Sequence, residues 1–351
     1  MTIEDNLSRW LEDALQVVDA RVTMLDRSRA TGFSGDTLVF DAEWRHGRGS
    51  FVARVHPGAD TLYMEHDLDA QWRVIDALAH SDVPVPRIVG HQTDDTAVLG
   101  RPFFVMEKVE GVAPADNPPF TTKGWVMDAT DAERAQMHGA GIDLLARIHA
   151  VDWRAAGLAF LEGSTANPAG VAAALDHDRR FFAWVAGDRS LPVFAGALAW
   201  MEGAVPVEAG DPVLSWGDAR LGNILVAGFR PVAVLDWEMV TLAEREADLA
   251  WWLMFDRLHT DGIRRPRPGG FLTESQVIDR YAACTGHAVR NLTFYMVRAA
   301  YRAGLLLVRY TDLLVQRGVL AADAARTPAT PAVTVLSALL SPDGGHRALT
   351  A

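Results

Sequence analysis

One cysteine, Cys284, and two lysines, Lys108 and Lys123, are all that the 351 residues contain of either type. A single cysteine excludes an internal disulfide and a zinc site built from cysteines, and it fits the reducing cytoplasm, the expected location. With so few lysines, any role that calls for one has almost no candidates. Long apolar runs are also missing. Gly304 to Val308 and Ala247 to Phe255 fall short of the roughly 20 residues a membrane-spanning helix needs, so no membrane partner is expected. The first residues, Met1-Thr2-Ile3-Glu4-Asp5, are acidic where a signal peptide is basic, and export is not expected. Positive charge is in deficit overall, with a formal net charge of -12. Phosphate backbones are bound by basic surfaces, so nucleic acid is not an expected partner either.

Hydrophobic residues at 49% and charged residues at 22% are ordinary globular usage and exclude a disordered chain. The length suits about two average domains or one bilobal enzyme. Leu7, Trp10, Leu11, Leu15 and Val18 recur at helical spacing. Arg21 to Arg29, Thr37 to Trp44 and Ser50 to His56 read as short strands, separated by turns at Gly32-Phe33-Ser34-Gly35 and His46-Gly47-Arg48-Gly49. A helix is expected over Leu62 to Ala79, then strands at Arg87 to Gly90 and Pro102 to Val109. After a Pro-rich connector at Gly111 to Phe120, helices are expected at 131–150, 168–186 and 192–203. Three short strands follow, at Val213 to Trp216, Ile224 to Val226 and Val232 to Leu235, and then helices at 245–258, 273–285 and 290–317. This order predicts an α+β chain with a small β-rich lobe and a larger α-rich lobe, and no internal repeat is present.

The stretch Leu214-Ser215-Trp216-Gly217-Asp218-Ala219-Arg220-Leu221-Gly222-Asn223, followed by Leu235-Asp236-Trp237-Glu238, carries the chemistry. Asp218 and Asn223 lie five apart across a tight loop, and Asp236 ends the next hairpin. Two carboxylates and an amide oxygen converging there offer hard oxygen ligands for Mg²⁺ and leave one acid to orient a hydroxyl. The spacing is that of a kinase catalytic loop and its metal-binding aspartate.

This stretch resembles the aminoglycoside phosphotransferase-like family of small-molecule kinases, which includes choline kinase-like members. Within it the chain is similar to the kinase portion of acyl-CoA dehydrogenase family members 10 and 11. The resemblance extends from the Gly-rich turn through Leu99 to Glu107, Asp116-Asn117-Pro118-Pro119, the catalytic loop, and Gly270-Phe271 to Tyr281. It implies a protein-kinase-like bilobal fold, with residues 1–108 as the nucleotide-binding lobe and 109–351 as the catalytic and substrate-binding lobe. It also implies transfer of the γ-phosphoryl group of ATP to a hydroxyl of a small molecule. Asp218 then deprotonates the acceptor, Arg220 steadies charge, and Asn223 and Asp236 hold Mg²⁺. Asp236-Trp237-Glu238 lacks the glycine of the protein-kinase Asp-Phe-Gly motif, which points to constitutive activity. Trp216 stands where the family usually has histidine.

Other positions follow from the same resemblance. Arg54 stands in the place of the phosphate-binding lysine, with Glu65 on the following helix as its expected partner and Glu43 as the lesser alternative. Ser34 and the N–H of Gly35 are expected over the phosphates, and the backbone of Glu107 and Val109 at the adenine edge. Asp248 is expected to brace the catalytic loop, His149 to be packed, and Trp184, Trp200, Trp251 and Trp252 to be core. The acceptor pocket is expected from 168–190 and 256–302, where Asp176, Asp178 and Asp256 mix with Arg179, Arg180, Arg264, Arg265, Arg267, Arg298 and Arg302. That mixture ranks a hydroxyacyl-CoA or another hydroxylated metabolite above an aminoglycoside or macrolide. A non-catalytic nucleotide-binding regulator is the remaining alternative, and a monomer or homodimer is expected. A protein kinase is disfavoured because no Ala-Pro-Glu segment follows Asp236.

Overall fold

The amino-terminal residues fold as their spacing dictates. In the computed structural model, which describes residues 2–26, 36–58, 61–93, 96–207, 210–321 and 330–341, helix α1 (Ile3–Leu15) opens on a capping box between Thr2 and Asp5. It buries Leu7 and Leu11 against a sheet. The strands are β1 (Arg21–Asp26), β2 (Asp36–Trp44), β3 (Gly47–Val55), β4 (Ile88–Gln92) and β5 (Phe103–Glu107), in the antiparallel order β1-β2-β3-β5-β4. Along β3, Phe51, Ala53 and Val55 face the α1 side. A strand alternates faces with period two, so Val52 and Arg54 point to the other side, opposite Met106 and Phe104 of β5.

Helix α2 (Leu68–Leu78) begins six residues later than periodicity predicts. The Asp67 carboxylate caps the N–H of Ala70 at 2.8 Å, and the Thr61 hydroxyl takes the N–H of Tyr63 at 3.1 Å, so local side-chain bonds hold 61–66 out of the helix. That irregular segment reaches the helical part of the molecule: Arg309 donates to the Thr61 carbonyl at 3.0 Å, and Tyr63 donates to Glu238 at 2.8 Å.

Beyond Glu107 come helices α3 (Trp125–Asp128), α4 (Asp131–His149), α5 (Val171–Ala186) and α6 (Pro192–Gly203). Short strands follow, β6 (Val213–Ser215), β7 (Ile224–Ala227), β8 (Arg230–Val234) and β9 (Thr241–Ala243), paired as β6-β9 and β7-β8. Helices α7 (Arg245–Leu258), α8 (Glu274–Thr285), α9 (Leu292–Gln316) and α10 (Pro331–Leu339) follow among the described residues. The short pieces α3, β9 and α10 are absent from the sequence reading. Three residues carry too little period to identify β9, which exists because it pairs with β6. One apolar core unites Phe104 and Met106 of β5 with α2 and with the helices from α4 onward. The fold is therefore α+β, a β-sheet region followed by a helical region, with the β7-β8 hairpin and the β6-β9 pair inserted between α6 and α7.

Trp184 and Trp200 are not core residues. They are 39% and 37% exposed, and Arg309 lies over the Trp184 ring at 4.6 Å.

Candidate active site

Residues 216–223 leave β6 and enter β7 as a loop that few sequences could form. Gly217 has φ +85°, and a Cβ there would lie 2.1 Å from the Met239 carbonyl oxygen, so only glycine fits. Asp248, in the first turn of α7, fastens the loop from below. Its carboxylate accepts from the N–H of Trp216 (2.7 Å), the N–H of Gly217 (2.9 Å) and the Ser215 hydroxyl (2.9 Å), and meets His149 Nε2 at 3.0 Å. His149 is buried and its other nitrogen meets the Tyr281 hydroxyl at 2.6 Å, so both residues have the structural roles expected of them.

Asp218 stands at the head of this loop, 6% exposed. It accepts from Trp251 Nε1 at 2.7 Å, from Arg220 Nε at 2.9 and 3.0 Å, and from Asn223 Nδ2 at 2.6 Å. Burial pushes its pKa above the usual aspartate range, against the lowering pull of Arg220. Arg220 is held on its far side by Asp116, and burial opposes the rise in its pKa that these acids cause. The carboxylate is thus fixed in direction and has a raised affinity for a proton, the two properties of a general base.

Asn223 donates from one nitrogen to both the Asp218 carboxylate and the Asp218 carbonyl (3.1 Å). Both acceptors are oxygens, which assigns the amide orientation and leaves Oδ1 as the atom available to the cleft that Asn223 lines. The N–H of Leu235 donates to the Asn223 carbonyl at 2.9 Å, so the β7-β8 hairpin sets Asp236 beside it. Asp236 has a left-handed backbone at φ +58°. Its Oδ1 is buried without a hydrogen bond, with Arg54 at 3.6 Å.

Among the described residues no three His, Cys, Asp or Glu side chains cluster as a self-contained metal site. The pair Asn223 and Asp236 nevertheless fits Mg²⁺, which binds through one or two protein oxygens and completes six-coordination with phosphate and water. The buried Oδ1 of Asp236, which accepts no hydrogen bond and has Arg54 at 3.6 Å, is the observation behind that fit.

Glu65 is the one candidate whose expected partner the structure contradicts. It lies in the irregular segment before α2 and meets Arg180 at 3.6 Å. Arg54 instead donates to the Thr37 hydroxyl at 3.1 Å and faces Asp236 and, at 3.9 Å, Glu238. Glu43 pairs across the strand with Arg48, away from Arg54. Glu238 Oε2 is buried without a hydrogen bond, and burial and then Asp236 push its pKa well above the usual carboxylate range. Glu238 thus occupies the expected place of Glu65.

Arg54, Glu107, Val109, Asn223 and Asp236 line one cleft between the sheet and the hairpins, floored by Phe104 and Met106. The N–H of Glu107 is donated to Arg87 (2.9 Å) and that of Lys108 to Ser50 (2.8 Å), whereas among the described residues the N–H groups of Val109, Glu110 and Gly111 meet no backbone acceptor. Ser34 and Gly35 lie outside the described residues. A second cavity, on the other side of the loop, is lined by Gly217 and Trp251 with His177, Tyr295, Arg298 and Arg302. Asp256 is absent from it, because it pairs with His138 at 3.0 Å and Arg267 at 3.1 Å. Arg179 is likewise held elsewhere, by Asp176 and Glu202.

Tyr63, Trp251 and Glu238 are site residues that sequence reading missed in these roles. Trp251 carries the one available hint, an N–H that needs an acceptor inside an apolar helix. Trp216, in the place of the family histidine, is fully buried and donates to the carbonyls of Leu235 (2.9 Å) and Asp236 (3.2 Å). Trp216→Phe strands both carbonyls, so stability should fall by about 1–3 kcal/mol. Urea denaturation checks this, and an unchanged midpoint would make the indole a space filler only.

The phosphotransferase enzyme family model matches residues 30–284. Acyl-CoA dehydrogenase family member 11 of Pongo abelii is 26% identical over 284 residues, which are 76% of this chain and 34% of that protein. The chain thus spans about a third of the length of that relative. Among solved structures, a putative aminoglycoside phosphotransferase of Ralstonia eutropha superposes with a TM-score of 0.71 at 23% identity, covering 95% of this chain and 98% of that one. A thermostable mutant of another aminoglycoside phosphotransferase, solved as a ternary complex with AMP-PNP and hygromycin B, gives 0.57 at 14% identity, with 94% and 98% covered. These superpositions show a shared fold.

Proposed function

The chain belongs to the phosphotransferase enzyme family, and from that membership we propose that it transfers the γ-phosphoryl group of ATP to a hydroxyl of a small molecule. In this reading residues 1–108 hold the nucleotide and residues 109–351 carry the catalytic loop and the acceptor. The observation that carries it is a cleft lined by Asn223 and Asp236, with an oriented, buried Asp218 held directly behind it by its hydrogen bond to Asn223. The complex of the related fold with AMP-PNP supports nucleotide binding.

The acceptor hydroxyl enters from the side of the second cavity and gives its proton to Asp218. Its oxygen forms a bond to the γ-phosphorus as the bond from that phosphorus to the bridging oxygen breaks. The products are the phosphate ester and ADP, and Asp218 later returns the proton to solvent. Arg220 holds the carboxylate in line and offsets its charge. Arg54 binds phosphate oxygens from β3, and Glu107 and Val109 present backbone groups to the base. Mg²⁺, when bound, neutralises phosphate charge, and Asn223 and Asp236 are the residues that would hold it.

A hydroxyacyl-CoA or another hydroxylated metabolite is favoured over an aminoglycoside or macrolide, because Arg298 and Arg302 line the acceptor side in place of clustered carboxylates. Acceptor-dependent ADP release over a panel of hydroxyacyl-CoAs, aminoglycosides and macrolides tests the reading. Release with a hydroxyl acceptor supports it, and failure of MgATP to bind overturns it.

A pH dependence follows. The working form of Asp218 is the carboxylate and burial favours the acid, so activity should rise with pH through a midpoint above the ordinary aspartate range. A profile of kcat/KM against pH checks this, and an acid limb at the ordinary aspartate position would contradict it.

A further inference from the structure

The wall of the acceptor-side cavity carries two acids, Glu244 and Asp248, and two arginines, Arg298 and Arg302. His177 and Asp178 lie on α5, and Arg298 and Arg302, four residues apart, lie on one face of α9. Arg298 takes the Asp178 carboxylate with both ends of its fork, at 2.6 and 3.3 Å. Arg302 comes only to 3.6 Å. One fully buried carboxylate therefore serves two guanidinium groups.

Arg302 is the group left short. Its side chain is 17% exposed, and among the described residues it makes no hydrogen bond. Burial lowers its pKa, Asp178 opposes that fall and Arg298 adds to it. Five N–H donors on a largely desolvated cation require acceptors. His177, on the same wall, has its pKa pushed down to about 4 by burial and by Arg302. It is therefore neutral near pH 7, and its ring nitrogens make no hydrogen bond among the described residues. Both residues share the cavity with Gly217 and with Trp251, whose indole holds Asp218. Of the acids of the same cavity, Asp248 is engaged by four donors.

We propose that Arg302, with His177 beside it, binds an anionic group of the acceptor, a carboxylate or a phosphate, while the acceptor's hydroxyl reaches Asp218. The substrate class is then a hydroxylated anion, and a cationic amino alcohol meets like charge at Arg302. This rests on the phosphotransferase reading and narrows it.

The test uses the full chain with 4-hydroxybutyrate, 3-hydroxypropyl phosphate, 1,4-butanediol and 4-aminobutanol. Calorimetry measures binding of each, and ADP release in MgATP measures turnover. Wild type should bind at least one of the two anions ahead of the diol and the amino alcohol, and the preferred anion identifies carboxylate or phosphate as the source. Arg302→Gln should weaken binding and raise KM for that anion by on the order of tenfold, with a smaller change in kcat, and Arg302→Lys should recover part of the loss. Preference for the diol or the amine, or an anion affinity unchanged in Arg302→Gln, would overturn the inference. Absence of ADP release with every acceptor would instead count against the phosphotransferase reading, while the binding data still decide the anion site.

Discussion

Asp218→Asn should lower turnover by about 10²–10⁴-fold and leave MgATP affinity close to that of wild type. Asparagine keeps the shape of the side chain but cannot accept the hydroxyl proton. It also offers one oxygen where Trp251, Arg220 and Asn223 now share two, so one of these donors is left facing an NH₂ group. Asp218 does not line the nucleotide cleft, whereas Asn223 and Asp236 do, and nucleotide affinity is therefore insulated from the change. Asp218→Ala removes the group outright and should abolish turnover. ADP release and calorimetry with MgATP separate the two effects. Undiminished turnover in either variant would remove Asp218 from the mechanism.

Asp236→Asn acts on the other half of the site. The substitution keeps a side chain tolerant of the left-handed backbone at φ +58°, where alanine would add strain. Removing a residue that merely supports a metal ligand lowers metal affinity or activity by about 10–100-fold, so loss of the ligand charge itself should reach or exceed the upper end of that range. The loss should appear in nucleotide affinity measured with Mg²⁺ and be small without it. Calorimetry under both conditions reads the difference. Equal Mg²⁺ dependence in wild type and variant would mean that Asp236 holds no cation. A second consequence is local: Asp236 helps to keep the Glu238 pKa high, so in the variant that value should move down toward the ordinary carboxylate range.

The loop that carries the proposed chemistry was legible in the sequence because its spacing is short-range. Gly217, Asp218 and Asn223 lie within seven positions, and the hairpin that brings Asp236 alongside is signalled by its own strands. The family resemblance read from those motifs agrees with the family model and with the fold of the solved relatives. The partner of Arg54 was not legible. Whether Glu65 or Glu238 faces that guanidinium depends on where α2 starts and on a contact between Tyr63 and Glu238 that is 175 residues apart in the chain. Local capping by Asp67 decided the first, and periodicity cannot report it. Trp251 was hidden for another reason. Its helix reads as apolar core and is core, yet the one polar atom of the indole is what touches Asp218. The arginines near the acceptor looked equivalent in sequence, and only packing separates Arg298 and Arg302 from Arg179, Arg180 and Arg267, which are engaged elsewhere.

Helix α7 carries Asp248 and Trp251 three positions apart, so one rigid rod grips the 216–223 loop from beneath and the Asp218 carboxylate from the side. Displacing that rod therefore misaims the proposed base even where every residue of the loop is intact. Catalytic competence and the integrity of α7 should be lost together as the protein is loosened by denaturant, with amide exchange in residues 245–258 and inactivation sharing a single midpoint.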